Sequence, residues 1–95
     1  MPRRGGVKSN TPDMFTVYIL QSLVNKKYYV GCTQDMKRRL LEHNRGRNES
    51  TARDVPWQIV YTELVSDQKD AYEREKKIKS YKGGNAFKKM IGLIS

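Results

Sequence analysis

Two short runs of β-branched and aromatic residues constrain this chain more than anything else in it. Phe15-Thr16-Val17-Tyr18-Ile19-Leu20 and Lys27-Tyr28-Tyr29-Val30-Gly31 flank the turn-forming stretch Val24-Asn25-Lys26-Lys27. Such residues suit the pleated, half-buried surface of a strand, and the short spacer makes the pair a hairpin. Residues 35–44 then read as a helix, with Thr33 or Asp35 as N-cap and Met36, Leu40 and Leu41 as its apolar stripe. Gly46 ends it, residues 47–56 form a polar loop, and Trp57-Gln58-Ile59-Val60-Tyr61 is a third strand. Ser66 or Asp67 caps a second helix that runs to about Lys79. After the break at Gly83-Gly84, Asn85 caps a short third helix carrying Phe87, Met90, Ile91 and Ile94. The order ββαβαα, without an internal repeat, predicts an α+β fold: a small three-stranded, mainly antiparallel sheet flanked by helices.

Ninety-five residues of which 37% are hydrophobic suffice for one small core, hence one domain. Residues 1–13, with Arg3, Arg4, Lys8, two prolines and two glycines, read as a flexible basic tail ahead of a domain over 14–95. No run approaches the roughly 18 apolar residues of a membrane span. The positive start Met1-Pro2-Arg3-Arg4 is not followed by an apolar signal-peptide region. Cys32 is the one cysteine, which excludes an internal disulfide framework and a cysteine-based zinc site. The expectation is a soluble, cytoplasmic domain. Nineteen Lys and Arg against ten Asp and Glu leave a formal charge of +9, which makes a polyanion, nucleic acid first, the natural partner.

Chemistry is sought where residues break the binary pattern. At about 100° per residue, Ala71, Glu75 and Ile78 share one helix face, so a carboxylate stands in a core-facing stripe. A lone buried carboxylate is costly unless paired or bound to a cation. The ordinary alternative is an ion pair to Lys79 one turn on, worth a few tenths of a kcal/mol. On the first helix Arg39 and His43 are one turn apart, beside the Met36–Leu40 stripe. By themselves they read first as a surface arginine and a half-buried histidine, and only second as a phosphate fork and the chain's one imidazole. Tyr18 and Tyr29 can lie on neighbouring strands, as packing aromatics or as paired hydroxyls. Gly31 permits close approach of a ligand to the backbone.

Together these residues resemble a known family, the GIY-YIG nucleases, over nearly everything from Phe15 to Ile94. Tyr29-Val30-Gly31 matches the second half of the family's name and Thr16-Val17-Tyr18 the first, with the expected spacing. Arg39 lies eight residues past Gly31, His43 one turn further, and Glu75 four residues past Ala71, each as in the family. Pro56-Trp57, Arg74-Glu75-Lys76 and Lys82-Gly83-Gly84-Asn85-Ala86-Phe87-Lys88-Lys89 resemble segments of its small stand-alone members. These look like the N-terminal nuclease domain of the incision enzyme of excision repair. Thr16 departs from the pattern, standing where the family has its first glycine, at a position of backbone and strand.

The resemblance implies a metal-dependent DNA endonuclease, structure-directed, in DNA repair or processing. Glu75 is then the ligand of one Mg²⁺ or Mn²⁺, an ion that takes one or two carboxylates and keeps several waters. Tyr18 is the general base, in need of help from a cation or from His43 because its reference pKa is near 10. Arg39 neutralises the phosphate in the transition state, and Tyr29 positions water or phosphate. Lys37, Arg38, Arg45, Arg47 and Arg53, with Lys76, Lys77, Lys79 and Lys82, form a sequence-independent phosphate track or simply a solvated face. DNA is the implied partner with RNA left open, no membrane is involved, a monomer suffices, and a protein partner is one route to target selection. The alternative is a non-catalytic basic nucleic-acid-binding module, against which stands the carboxylate of Glu75 facing the substrate.

Overall fold

The computed structural model describes residues 14–92. The expected basic tail over 1–13, and Ile94 of the third helix, lie outside the described residues. Three strands, β1 (Phe15–Ser22), β2 (Tyr28–Thr33) and β3 (Trp57–Val65), combine with helices α1 (Met36–Asn44), α2 (Gln68–Ser80) and α3 (Asn85–Met90). A 3₁₀ turn, Ala52–Asp54, interrupts the loop before β3, and the Val55–Pro56 peptide is cis. The sheet order is β2-β1-β3 and both pairings are antiparallel. This is the expected α+β fold with the element order ββαβαα. No helix among the described residues is long and apolar enough to cross a membrane.

The central strand explains itself by its neighbours. Val17, Tyr18, Ile19 and Leu20 are all buried, which a half-solvated antiparallel strand would not show. Val17 and Ile19 pack with Val30, Ala71, Ile78 and Phe87, while Tyr18 and Leu20 pack with Trp57, Met36 and Leu40 on the other face. A continuous apolar run is thus the signature of a sheet covered on both sides. Ile78, with no exposed surface, fastens α2 to this core. Ile78→Ala is expected to cost about 2–5 kcal/mol in urea denaturation. A loss under about 1 kcal/mol would mean that α2 is not held through this contact.

Local signals were resolved by hydrogen bonds. Asp35 caps α1 by accepting from the Arg38 amide, and Asp67 caps α2 by accepting from that of Asp70. Asn85 does not cap α3. It is the first helical residue, and Gly84 holds the cap position without a side-chain bond. Leu41 is 52% exposed, so the stripe of α1 is narrower than its sequence suggested. β3 runs on to Val65, past the expected end at Tyr61, with an irregularity in its register where Ile19 and Leu20 meet Tyr61 and Ile59. Its extension carries Glu63, which accepts from Tyr61 Oη at 2.5 Å and from Arg74 Nε at 2.8 Å, tying α2 to the sheet.

Candidate active site

Tyr18 and Gly31 are direct partners across β1 and β2. A side chain at Gly31 would begin 2.7 Å from Tyr18 Oη and 2.8 Å from its Cζ. The hydroxyl end of the tyrosine therefore lies over the glycine. The close approach expected there from a ligand is taken by the protein's own phenol, which is the physical reason for a residue without Cβ.

Held in this way, Tyr18 Oη sits 3.0 Å from His43 Nε2. His43 is fully buried, not half-buried, and its Nδ1 lies 2.9 Å from Thr51 Oγ1. Thr51 Oγ1 in turn donates to the Asn48 carbonyl at 3.3 Å. A carbonyl only accepts, so the threonine proton is given to Asn48 and its oxygen receives the proton of Nδ1. That leaves the Nε2 lone pair facing Tyr18, whose hydroxyl donates to it. Trp57 Nε1 donates to the Thr51 carbonyl at 2.9 Å and fixes the loop that carries this threonine. Thr51, itself fully buried, is a positioning residue that the sequence did not reveal, because a threonine in a polar loop carries no periodic signal. Thr51→Val keeps the shape and removes the acceptor. It should turn the single His43 tautomer into a mixture, read from the ring ¹⁵N shifts, and unchanged shifts would refute the tautomer assignment.

Burial is also the main influence on the charges. It pushes the Tyr18 phenol up to about 12, against the opposing influence of the Arg39 guanidinium beside it. Burial, and then the charge of Arg39, lower His43 below the usual histidine value. At neutral pH the pair is therefore a protonated phenol and a neutral imidazole. Tyr29 closes the cluster, its ring centroid 4.8 Å from that of His43 and 6.2 Å from that of Tyr18. Arg39 Nη1 is steadied by Glu42 Oε1 at 3.1 Å, and Glu42 Oε2 also accepts from Arg38 at 2.9 Å. The helix spacing i, i+3 and i, i+4 held the signal for Glu42.

Glu75 lies on the α2 face with Ala71 and Ile78, as the periodicity predicted. Its Oε2 pairs with Lys79 Nζ at 2.6 Å, so the ordinary ion pair is present too. Burial, and next the adjacent Glu75 carboxylate, push the Cys32 thiol up to about 11. The Glu75 carboxylate is also a minor influence that raises the Tyr18 phenol. Among the described residues no group of three or more His, Cys, Asp and Glu is arranged to hold a metal. The donor set suits a hard ion that keeps its waters, since one carboxylate is present and its counter-charge is a side chain 54% exposed. Lys79 can be released to water at little cost when a divalent cation takes its place. Cys32, a protonated soft donor, does not suit Mg²⁺.

The basic residues border several surface hollows. Arg47 shares a surface hollow with Arg39 and Glu42. Lys79 and Lys82 border a cleft beside Tyr29. Arg53 lies in a third hollow with Lys27, Glu49 and Asp54. Lys76 and Lys77 flank β3, among Glu63, Asp70 and Glu73. Lys37, Arg38 and Arg45 are exposed on and just beyond α1.

Comparison with known proteins agrees with this geometry. Residues 14–88 match the model of the GIY-YIG catalytic domain. A UPF0213 protein of Haloquadratum walsbyi is 37% identical over 70 residues, 73% of this chain and 78% of its own. One from Staphylococcus saprophyticus is 30% identical over 84 residues, 87% of this chain and 96% of its own. A third, from Natronomonas pharaonis, is 35% identical over 65 residues, 67% and 75% of the two chains. No solved structure matches the chain significantly.

Proposed function

The chain belongs to the GIY-YIG family, and on that premise we propose that it is a metal-dependent endonuclease that hydrolyses phosphodiester bonds of DNA in repair or processing. The observation that carries this reading is the Tyr18–His43 pair: a phenol bonded to a buried, neutral imidazole, with the Arg39 guanidinium beside it.

Glu75 would hold one Mg²⁺ or Mn²⁺, which would supply Lewis-acid stabilisation of the negative charge that develops in phosphodiester hydrolysis. Tyr18 with a pKa of about 12 is not a phenolate at neutral pH, so it does not act alone. Its oxygen accepts a proton from the attacking water while its own proton passes to His43 Nε2. The imidazolium that forms keeps its Nδ1 proton hydrogen-bonded to Thr51 and hands the new one back to Tyr18 Oη, because burial and Arg39 disfavour its charge. Tyr18 passes its other proton to solvent or to the leaving oxygen as the P–O bond breaks. Arg39 offers its guanidinium to the extra negative charge on the phosphorus oxygens. Tyr29, in contact with both His43 and Tyr18, aligns the water or the phosphate.

The test is a cleavage panel of flap, branched, single-stranded and duplex DNA, with RNA alongside, in Mg²⁺ or Mn²⁺, comparing wild type with Glu75→Ala. A wild type that cuts nothing better than the variant sinks the proposal and leaves a binding module. The pH profile provides a separate check. His43 must be neutral to accept the proton, so the rate rises as pH climbs through its pKa. With that pKa lowered, the acid limb is expected below about 6.5, with no loss near neutrality. An acid limb centred above about 7 would exclude His43 as the acceptor.

A further inference from the structure

Beyond the reacting groups, β2 borders a cleft of about 430 Å³ that no step above uses. Val30, Ile78 and Phe87, all buried, and half-buried Tyr28 supply its apolar lining, with the Tyr28 and Phe87 rings edge to face at 4.9 Å. Lys79 and Lys82 stand at its margin, both exposed. The turn from α2 to α3 passes through two left-handed residues, Lys82 at φ 49° and Gly83 at φ 78°, which sets the lysine beside the opening. Tyr29 lines the cleft and also contacts His43, while the apolar floor lies on the opposite face of the sheet from Tyr18. Its volume falls in the range of about 300–1,000 Å³ typical of small-ligand pockets.

An apolar floor with a cationic rim complements a nucleotide, whose flat base is apolar on its faces and whose phosphate is anionic. We infer that this cleft receives an unpaired nucleobase of the cleaved strand, with Lys82 at its margin on the adjoining phosphate. In a duplex the base is paired and stacked, and must leave the stack to enter, a cost that an unpaired strand does not carry. The cleft therefore directs the enzyme toward single-stranded or flapped DNA. The inference rests on the nuclease reading for its substrate, but it is tested by binding alone.

The intact chain, with a chelator and no metal, is titrated with a thymidine trinucleotide and with the same trinucleotide lacking its central base. The first should shift the methyl signals of Val30 and Ile78 in NMR spectra, and the second should leave them in place and bind roughly tenfold more weakly. Lys82→Glu should weaken both ligands. Unmoved methyl signals, or equal affinity for the two, overturn the base site, and unchanged affinity in Lys82→Glu overturns the phosphate contact. Shifted methyls in a protein that cuts no DNA would keep the cleft and dismiss the nuclease, so the two failures are separable.

Discussion

Glu75→Ala should lower DNA cleavage by about a thousandfold or more, while metal-free DNA binding stays equal or becomes tighter. The size follows from what the carboxylate does: the Lewis-acid contribution of a bound ion is several kcal/mol, and each 1.4 kcal/mol or so is tenfold in rate. The sign of the binding change follows from charge. The variant loses an anion that faces a polyanion and frees Lys79, whose Nζ is 2.6 Å from Glu75 Oε2. The fold should survive, because an i, i+4 ion pair at a helix surface contributes about 0.2–0.5 kcal/mol. Salt-dependent binding, cleavage and thermal melting of the two proteins check all three parts. Cleavage that persists in the variant would remove Glu75 from the chemistry, whatever happened to binding.

Gly31→Ala should reduce cleavage about 10²- to 10⁴-fold, the range for loss of a positioned general base, although it deletes no functional group. The new Cβ would stand 2.7 Å from Tyr18 Oη and 2.8 Å from Cζ, nearer than such atoms come. Tyr18 is 1% exposed, and its ring packs against Tyr29 and the Trp57 cluster, so it has no free direction in which to withdraw. The hydroxyl must leave its 3.0 Å contact with His43 Nε2. Overpacking of this kind costs about 1–3 kcal/mol of stability. DNA affinity should change far less than turnover, since Arg39, beside Tyr18, is one of nineteen Lys and Arg. Turnover within a few-fold of wild type, in a variant that melts as the wild type does, would show that the Tyr18–His43 contact is not used.

Much of the site was legible because it is written in helical and strand periodicity. Glu75 between Ala71 and Ile78, and Arg39 one turn before His43, are consequences of 100° per residue, and the structure keeps both relations. The hairpin that pairs Tyr18 with Gly31 follows from two apolar runs and a short turn. Other positions were not legible, each for a physical reason. Thr51 sits in a loop, where no repeat announces which side chain turns inward, and only the Trp57 indole bond to its carbonyl settles that. Leu41 looked like part of a stripe, but α1 covers only the Tyr18–Leu20 face and does not reach around to it. Asn85 had the chemistry of a cap, yet the chain turned one residue earlier, at Gly84.

The sequence by itself determined the element order, the apolar run of the central strand and the family of the chain, because these depend on local patterns and spacing. It also supplied every polar group that the proposed chemistry needs. Only the tertiary structure decided how those groups are held and protonated. Desolvation of Tyr18 and His43, the tautomer set by Thr51, and the hydroxyl end of Tyr18 laid over Gly31 all arise between residues far apart in the chain. Protonation depends on the medium around a group and on its partners, and neither exists until the chain has closed around them.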